Sequence, residues 1–165
     1  MNRKLLSFSH IITLFIVVII VTACNDARTY DSYKSLPSDG WKRNETVTFN
    51  IPCQEEGMYN MDLGIRAFQS YPYKSITLII ERTVIHKQKK NQTSNSYQDT
   101  VICNIINDDG RLVGKRGITT SEIEQRIALF PLQNHDSLHV SVRHIMSKEQ
   151  LPGISDVGIQ IVKRK

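Results

Sequence analysis

Short segments in which apolar and polar residues alternate predict an all-β protein, an antiparallel β-sandwich of jelly-roll or immunoglobulin-like type. Three observations carry the expectation. Alternating segments recur from Val47 to Ile161. Each offers one apolar face, as strands packed between two sheets require. Turn chemistry separates them at Pro52, Tyr71-Pro72-Tyr73 and Asn107-Asp108-Asp109-Gly110. A chain of 165 residues suits a single core.

The first element is an export signal. Arg3 and Lys4 give it a positive start, Ile11 to Val21 a largely apolar stretch, and Val21-Thr22-Ala23-Cys24 a small-residue cleavage site. The stretch is 11 residues long, well short of the roughly 20 that cross a bilayer as a helix. Residues 1–23 therefore read as a lipoprotein signal peptide, with Cys24 as the lipidated first residue of the mature chain. Two or more acyl chains, at about 0.8 kcal/mol per buried methylene, make such an anchor stable. Residues 24–40 are polar and turn-rich and read as the lipidated terminus and its tether. Residues 41–165 form the sandwich domain.

Within that domain Val47, Phe49 and Ile51 define one strand, and Tyr59, Met61, Leu63, Ile65 and Ala67 a second. Ile76, Leu78 and Ile80 mark a third. The segment 87–96 holds almost nothing apolar and reads as a projecting loop. Val101, Cys103 and Ile105 resume the alternation, followed later by Leu138, Val140 and Val142 and by Val157, Ile159 and Ile161. Thr119 to Phe130 reads two ways. Thr119 before Ser121-Glu122-Ile123-Glu124 resembles a capped helix start, while Ile123, Gln125, Ile127 and Leu129 alternate. Pro131 favours a strand from about Arg126.

Chemistry is thinner. The net charge of +5 falls to +3 once the signal is removed. The remaining cations are scattered, which gives no footing for nucleic-acid binding. His86, His135, His139 and His144 do not form a zinc set: His139 and His144 differ by an odd number and face opposite ways on one strand. His144 shares the parity of Val142 and belongs at a hydrogen-bonded edge of the core. Asp108 and Asp109 lack a second calcium ligand at the needed spacing. No catalytic residue, metal or cofactor is assigned. Cys53 and Cys103 are a candidate disulfide in an oxidising compartment. Tyr71 and Tyr73, aromatics in a constrained turn, are a candidate interaction surface.

Together, Cys24, Tyr30-Asp31-Ser32-Tyr33 with Trp41, Ser70-Tyr71-Pro72-Tyr73, and Asp99-Thr100 with Gly110 and Gly114 form a recognisable set. With Leu151-Pro152-Gly153-Ile154-Ser155-Asp156-Val157-Gly158-Ile159, the most specific segment, the chain resembles the gliding-motility lipoprotein GldH family of the Bacteroidota. Cys53 and Cys103 lie outside that pattern, and Arg111-Leu112-Val113-Gly114 lacks an aromatic expected near its turn. The resemblance implies an envelope lipoprotein of the gliding apparatus, anchored to the inner or outer membrane and facing the periplasm. It implies no enzymatic activity and no cofactor. Its expected partners are the membrane, through the lipid, and envelope proteins of the gliding or an associated secretion machine. A β-sandwich binding a glycan or another small envelope ligand is the alternative. That alternative predicts an exposed aromatic platform, whereas protein contact predicts an apolar patch with a polar rim.

Overall fold

The computed structural model describes residues 27–87 and 92–164. The signal segment 1–23, Cys24, and Gln88, Lys89 and Lys90 of the basic run lie outside the described residues. The described chain is all strand and turn: β1 (Arg28–Ser35), β2 (Trp41–Lys42), β3 (Val47–Ile51), β4 (Gly57–Phe68), β5 (Ser75–Lys87) and β6 (Gln92–Asn104) make up its first part. β7 (Lys115–Arg116), β8 (Thr120–Leu132), β9 (Ser137–His144), β10 (Gln150–Leu151) and β11 (Ile154–Lys163) follow. Five strands form one sheet in the order β1-β11-β4-β8-β7, and four form another in the order β3-β9-β5-β6. Every pairing within them is antiparallel.

The two sheets lay their apolar faces on one core, which makes the molecule a β-sandwich. Phe49, Ile80 and Val140 come from the four-stranded sheet and Met61, Leu63 and Ile159 from the five-stranded one, each at most 1 % exposed. The small pair β2 and β10 joins Trp41 to Leu151. Both are fully buried. The Trp41 indole N–H donates to the Glu45 carbonyl at 2.9 Å, and its ring meets His144 edge-on at 5.2 Å. His144 Nε2 in turn donates to the Trp41 carbonyl at 3.0 Å, so His144 is a hydrogen-bonded core residue.

Three stretches differ from the sequence expectation, each for a physical reason. The polar segment 24–40 reads as a tether, yet Arg28–Ser35 is β1, paired along β11 from Val162 to Asp156. As an edge strand it carries a polar sequence because only part of it is covered. The described residues of the expected loop 87–96 are strand: β5 runs to Lys87 and β6 starts at Gln92. Residues 92–98 are exposed on both faces, so no apolar alternation marks them. Finally, Thr120–Leu132 is one strand with a bulge, since Met61 pairs with Ala128 while Asp62 pairs with Arg126. The extra residue, Ile127, reverses the parity, so Ile123 and Phe130 both point inward although seven residues apart. The residues that resemble a capped helix start, Thr119 to Glu124, are the turn and first residues of this strand.

Candidate functional site: the glycine-floored face of the five-stranded sheet

The outward face of the five-stranded sheet is built around Tyr33. In register, Tyr33 on β1 lies opposite Gly158 on β11, which lies opposite Gly64 on β4. A Cβ on Gly158 would come 2.6 Å from two Tyr33 ring carbons, and one on Gly64 would come 2.6 Å from Tyr33 Cζ. The two glycines thus form a floor on which the tyrosine ring lies flat, covering backbone that has no side chain of its own. From there the phenol donates to Glu122 Oε1 at 2.9 Å. Arg66 places its guanidinium carbon 3.9 Å from the ring centre and donates from Nε to Glu122 Oε2 at 3.1 Å.

One cross-strand row then reads Asp156, Arg66, Glu122, Lys115, with charges alternating from β11 to β7. Opposite charges on facing strands stabilise their pairing. Ser35 and Ser155 both donate to the Asp156 carboxylate, at 2.7 and 2.8 Å. Burial raises the Tyr33 phenol above its ordinary range, and its bond to Glu122 adds to the effect. Burial alone would raise the Glu122 carboxyl too, but the hydrogen bonds from Tyr33 and Arg66 outweigh it and hold that group below its usual value. Arg66 shows the converse: burial opposes its charge, and the Glu122 contact prevails and raises it. Arg66 and Glu122 therefore stay charged near neutral pH, while the Tyr33 phenol keeps its proton.

Beside the cluster lies a cavity of about 450 Å³, walled by Arg66, Phe68, Lys115, Arg116, Glu122 and Asp156. Its rim is the turn between β7 and β8, where the Gly117 N–H donates to the Thr120 carbonyl at 2.8 Å. Gly114, at φ +85°, lets the chain pass so near β8 that a Cβ would strike the Glu122 carbonyl. This close approach fixes the position of the turn. At its tip Ile118 is wholly exposed. Phe68, 40 % exposed, stands at the cavity wall, so two apolar side chains face solvent among Arg66, Lys115 and Arg116. Such a combination suits contact with a protein surface.

The residues singled out from sequence fall elsewhere. Tyr71 is not a surface anchor: it is 2 % exposed, and its phenol donates to the Ser75 carbonyl at 2.9 Å. Gly153, at φ +86°, packs so tightly on the Tyr71 backbone that the turn is held inward. Tyr73 is half-buried and meets Tyr71 edge-on at 5.7 Å. Cys53 and Cys103 are unbonded, the first exposed and the second buried. Cys103 pairs with Ile76 at one end of β5, whereas Ile51, just before Cys53, aligns through Leu138 with Val84 near the other end. At about 3.3 Å per residue that separation is roughly 25 Å, far beyond the ~7 Å limit of a disulfide. Among the histidines, His86 pairs with Asp136 at 2.8 Å and His139 with Asn50 at 2.7 Å. Among the described residues no three His, Cys, Asp or Glu side chains are grouped as a metal site.

Tyr33 and Gly158 belong to two of the segments on which the family resemblance rests, but alternation gives no sign of their contact. The sequence singles out none of Arg66, Glu122 and Ile118 as a site residue. An isoleucine between Gly117 and two threonines, with no alternating partner, is the available signal for the last.

Comparison with known sequences bears on the same segments. The sequence model of the GldH lipoprotein family matches residues 28–161, which runs from the start of β1 to near the end of β11. The protein described as "Gliding motility lipoprotein GldH" from Flavobacterium johnsoniae is similar to this chain, 25 % identical over 161 residues, covering 92 % of this chain and 94 % of that protein. A match that embraces both sheets and the whole Tyr33 face shows that this chain belongs to the GldH lipoprotein family.

Proposed function

We propose that this protein is an envelope lipoprotein, held to the membrane by acyl chains on Cys24 after removal of residues 1–23, that serves gliding motility or an associated secretion machine through protein contacts. The observation that carries the contact surface is Ile118, wholly exposed at the tip of a turn flanked by Lys115 and Arg116. The folded domain alone gains nothing from an isoleucine in water; burial against a partner would recover its transfer free energy, about 25 cal/mol per Å² of apolar surface. Tethering adds to this, because a protein confined to one membrane meets its neighbours at a high effective concentration. Family membership and the name of the Flavobacterium johnsoniae relative support the motility assignment. The glycan alternative draws no support from Tyr71 and Tyr73, since the first is buried and the second packs on it.

The test is in-cell crosslinking of the tagged protein, with recovered partners identified by mass spectrometry. Cys24→Ala provides the mislocalised control and Ile118→Asp the surface control. Motility or secretion components recovered with the wild type and lost in both variants would support the reading. Equal recovery of abundant envelope proteins from all three forms would overturn it.

A further inference from the structure

On the inward side of β5 the residues Ile76, Leu78 and Ile80 are fully buried, and Val84 is 5 % exposed. Between Ile80 and Val84, in the same register, stands Arg82. It is 7 % exposed, and its Nε and Nη1 have no hydrogen-bond partner among the described residues. Its ion-pair neighbour, Asp99 Oδ2, lies 3.9 Å from Nη1, outside hydrogen-bond reach. Two rings contact the guanidinium instead, Tyr97 from the adjacent strand β6 at 4.9 Å and Phe130 from the opposite sheet at 4.5 Å. A buried cation with unmet donors opposes folding, and burial indeed lowers the Arg82 pKa. An aliphatic residue would serve the core better at this position. The arginine therefore calls for a different reason.

A cavity of about 480 Å³ adjoins it, between the edges of the two sheets where β6 faces β8. This is within the size range of small-ligand sites, about 300–1,000 Å³. Leu129, Phe130 and Pro131 supply an apolar wall, and Leu129 and Tyr97 are each about half exposed at the mouth. We propose that this cavity is a binding site for a carboxylate-bearing ligand, whose carboxylate pairs with Arg82 while its carbon skeleton lies on Leu129, Phe130 and Pro131.

The charges around the cavity select the class. Asp136, 2 % exposed, lines it but is already engaged: His86 Nδ1 is 2.8 Å from its Oδ1, and the Gln133 N–H donates to Oδ2 at 2.8 Å. Asp99, 3.9 Å from Nη1, is not among the residues that line the cavity. The guanidinium is the cation of the lining nearest the apolar wall, and its one ion-pair neighbour, Asp99, is too distant for a hydrogen bond. With Asp136 engaged by His86 and Gln133, the site suits one carboxylate and disfavours a dianion such as phosphate. A planar guanidinium also matches the two oxygens of a carboxylate. Asn95, whose amide is 3.4 Å from His86 Nε2, is a further polar group in the cavity lining. The same chemistry occurs in a free organic acid and at the terminus of a peptide chain.

The full chain, isotope-labelled and held in a non-ionic detergent, would be titrated with 3-phenylpropionate and its amide, and with acetyl-dialanyl-leucine as acid and as amide. The amides control for partition into the micelle. Inorganic phosphate is the competitor. We expect a saturable shift of the Arg82 Nε–H resonance and of the Tyr97 and Leu129 signals with an acid, none with its amide, and no displacement by phosphate. The preferred acid identifies the source. Arg82→Met and Tyr97→Ala should each weaken binding at least about tenfold, and Arg82→Lys, which keeps the charge and loses the fork, should do so as well. Three results would overturn the site: no saturable shift with either acid, equal shifts from acid and amide, or phosphate competing as effectively as carboxylate. Wild-type binding by Arg82→Lys and Tyr97→Ala together would do the same, whether or not Arg82→Met folds.

Discussion

Gly64→Ala tests whether Tyr33 organises the outward face. The new Cβ would come within 2.6 and 2.8 Å of Tyr33 Cζ and Cε1, so the ring must lift. Lifting breaks the 2.9 Å bond to Glu122 and the 3.9 Å stacking of Arg66. A hydrogen bond to a charged group contributes about 1.5–3 kcal/mol, and a surface cation–π contact about 0.5–1 kcal/mol. Against this, alanine lowers the entropy of the unfolded chain and returns about 0.4–1 kcal/mol. The expected net loss is about 2 kcal/mol by denaturant unfolding of the Cys24→Ala form. Tyr33→Phe, which keeps the ring and loses only the hydroxyl, should cost about the same, because the cation–π loss and the entropy gain of the alanine nearly cancel. The decisive measurement is a double-mutant cycle: in a Tyr33→Ala background the glycine substitution should become neutral or slightly stabilising. An undiminished penalty there would refute the argument, because the alanine would then be clashing with something other than Tyr33.

Ile118→Asp should leave the unfolding midpoint within ~0.5 kcal/mol of wild type, as expected for an exposed residue that packs on nothing, while abolishing partner crosslinks. His144 predicts a pH dependence: burial holds its pKa below the ordinary 6.5, so the unfolded chain binds the proton more readily than the folded one. Its contribution is complete above pH 6.5 and declines as pH falls through that value; urea midpoints should therefore drop more steeply between about pH 7 and 5 for wild type than for His144→Gln. Cys53, exposed, should react with a thiol reagent in the native protein. Cys103, whose thiol burial pushes up to about 12, should react only after unfolding, and simultaneous labelling of both would contradict the packing. Trp41→Ala should cost about 3–5 kcal/mol, read as a lowered denaturation midpoint, because it empties a fully buried position.

Local alternation was enough to read the fold class and the inward positions of the central strands. Phe49, Leu63, Leu78, Val140 and Ile159 sit where a period of two places them, because strands buried on one face must alternate and few other residues are tolerated there. The family resemblance was legible as well, in the segments around Tyr33 and Gly158. Edge strands were less so. β1 and the first half of β6 are polar because water reaches much of their surface, so their sequences resemble a tether and a loop although their backbones are paired. β8 was legible as strand only from about Arg126, because Thr119 to Glu124 resembles a helix cap, and the bulge at Ile127 reverses its parity in mid-strand. The sites themselves are products of tertiary packing. Tyr33, Gly64 and Glu122 are distant in sequence and meet because β11 and β4 separate β1 from β8 in the sheet. Alternation sets Arg82 on the inward face with Ile80 and Val84, but only the packing shows that Tyr97 and Phe130, one from each sheet, close over it. A period of two reveals which face a residue occupies; what stands opposite that face depends on sheet order and on how the two sheets are stacked, and neither is encoded in local alternation.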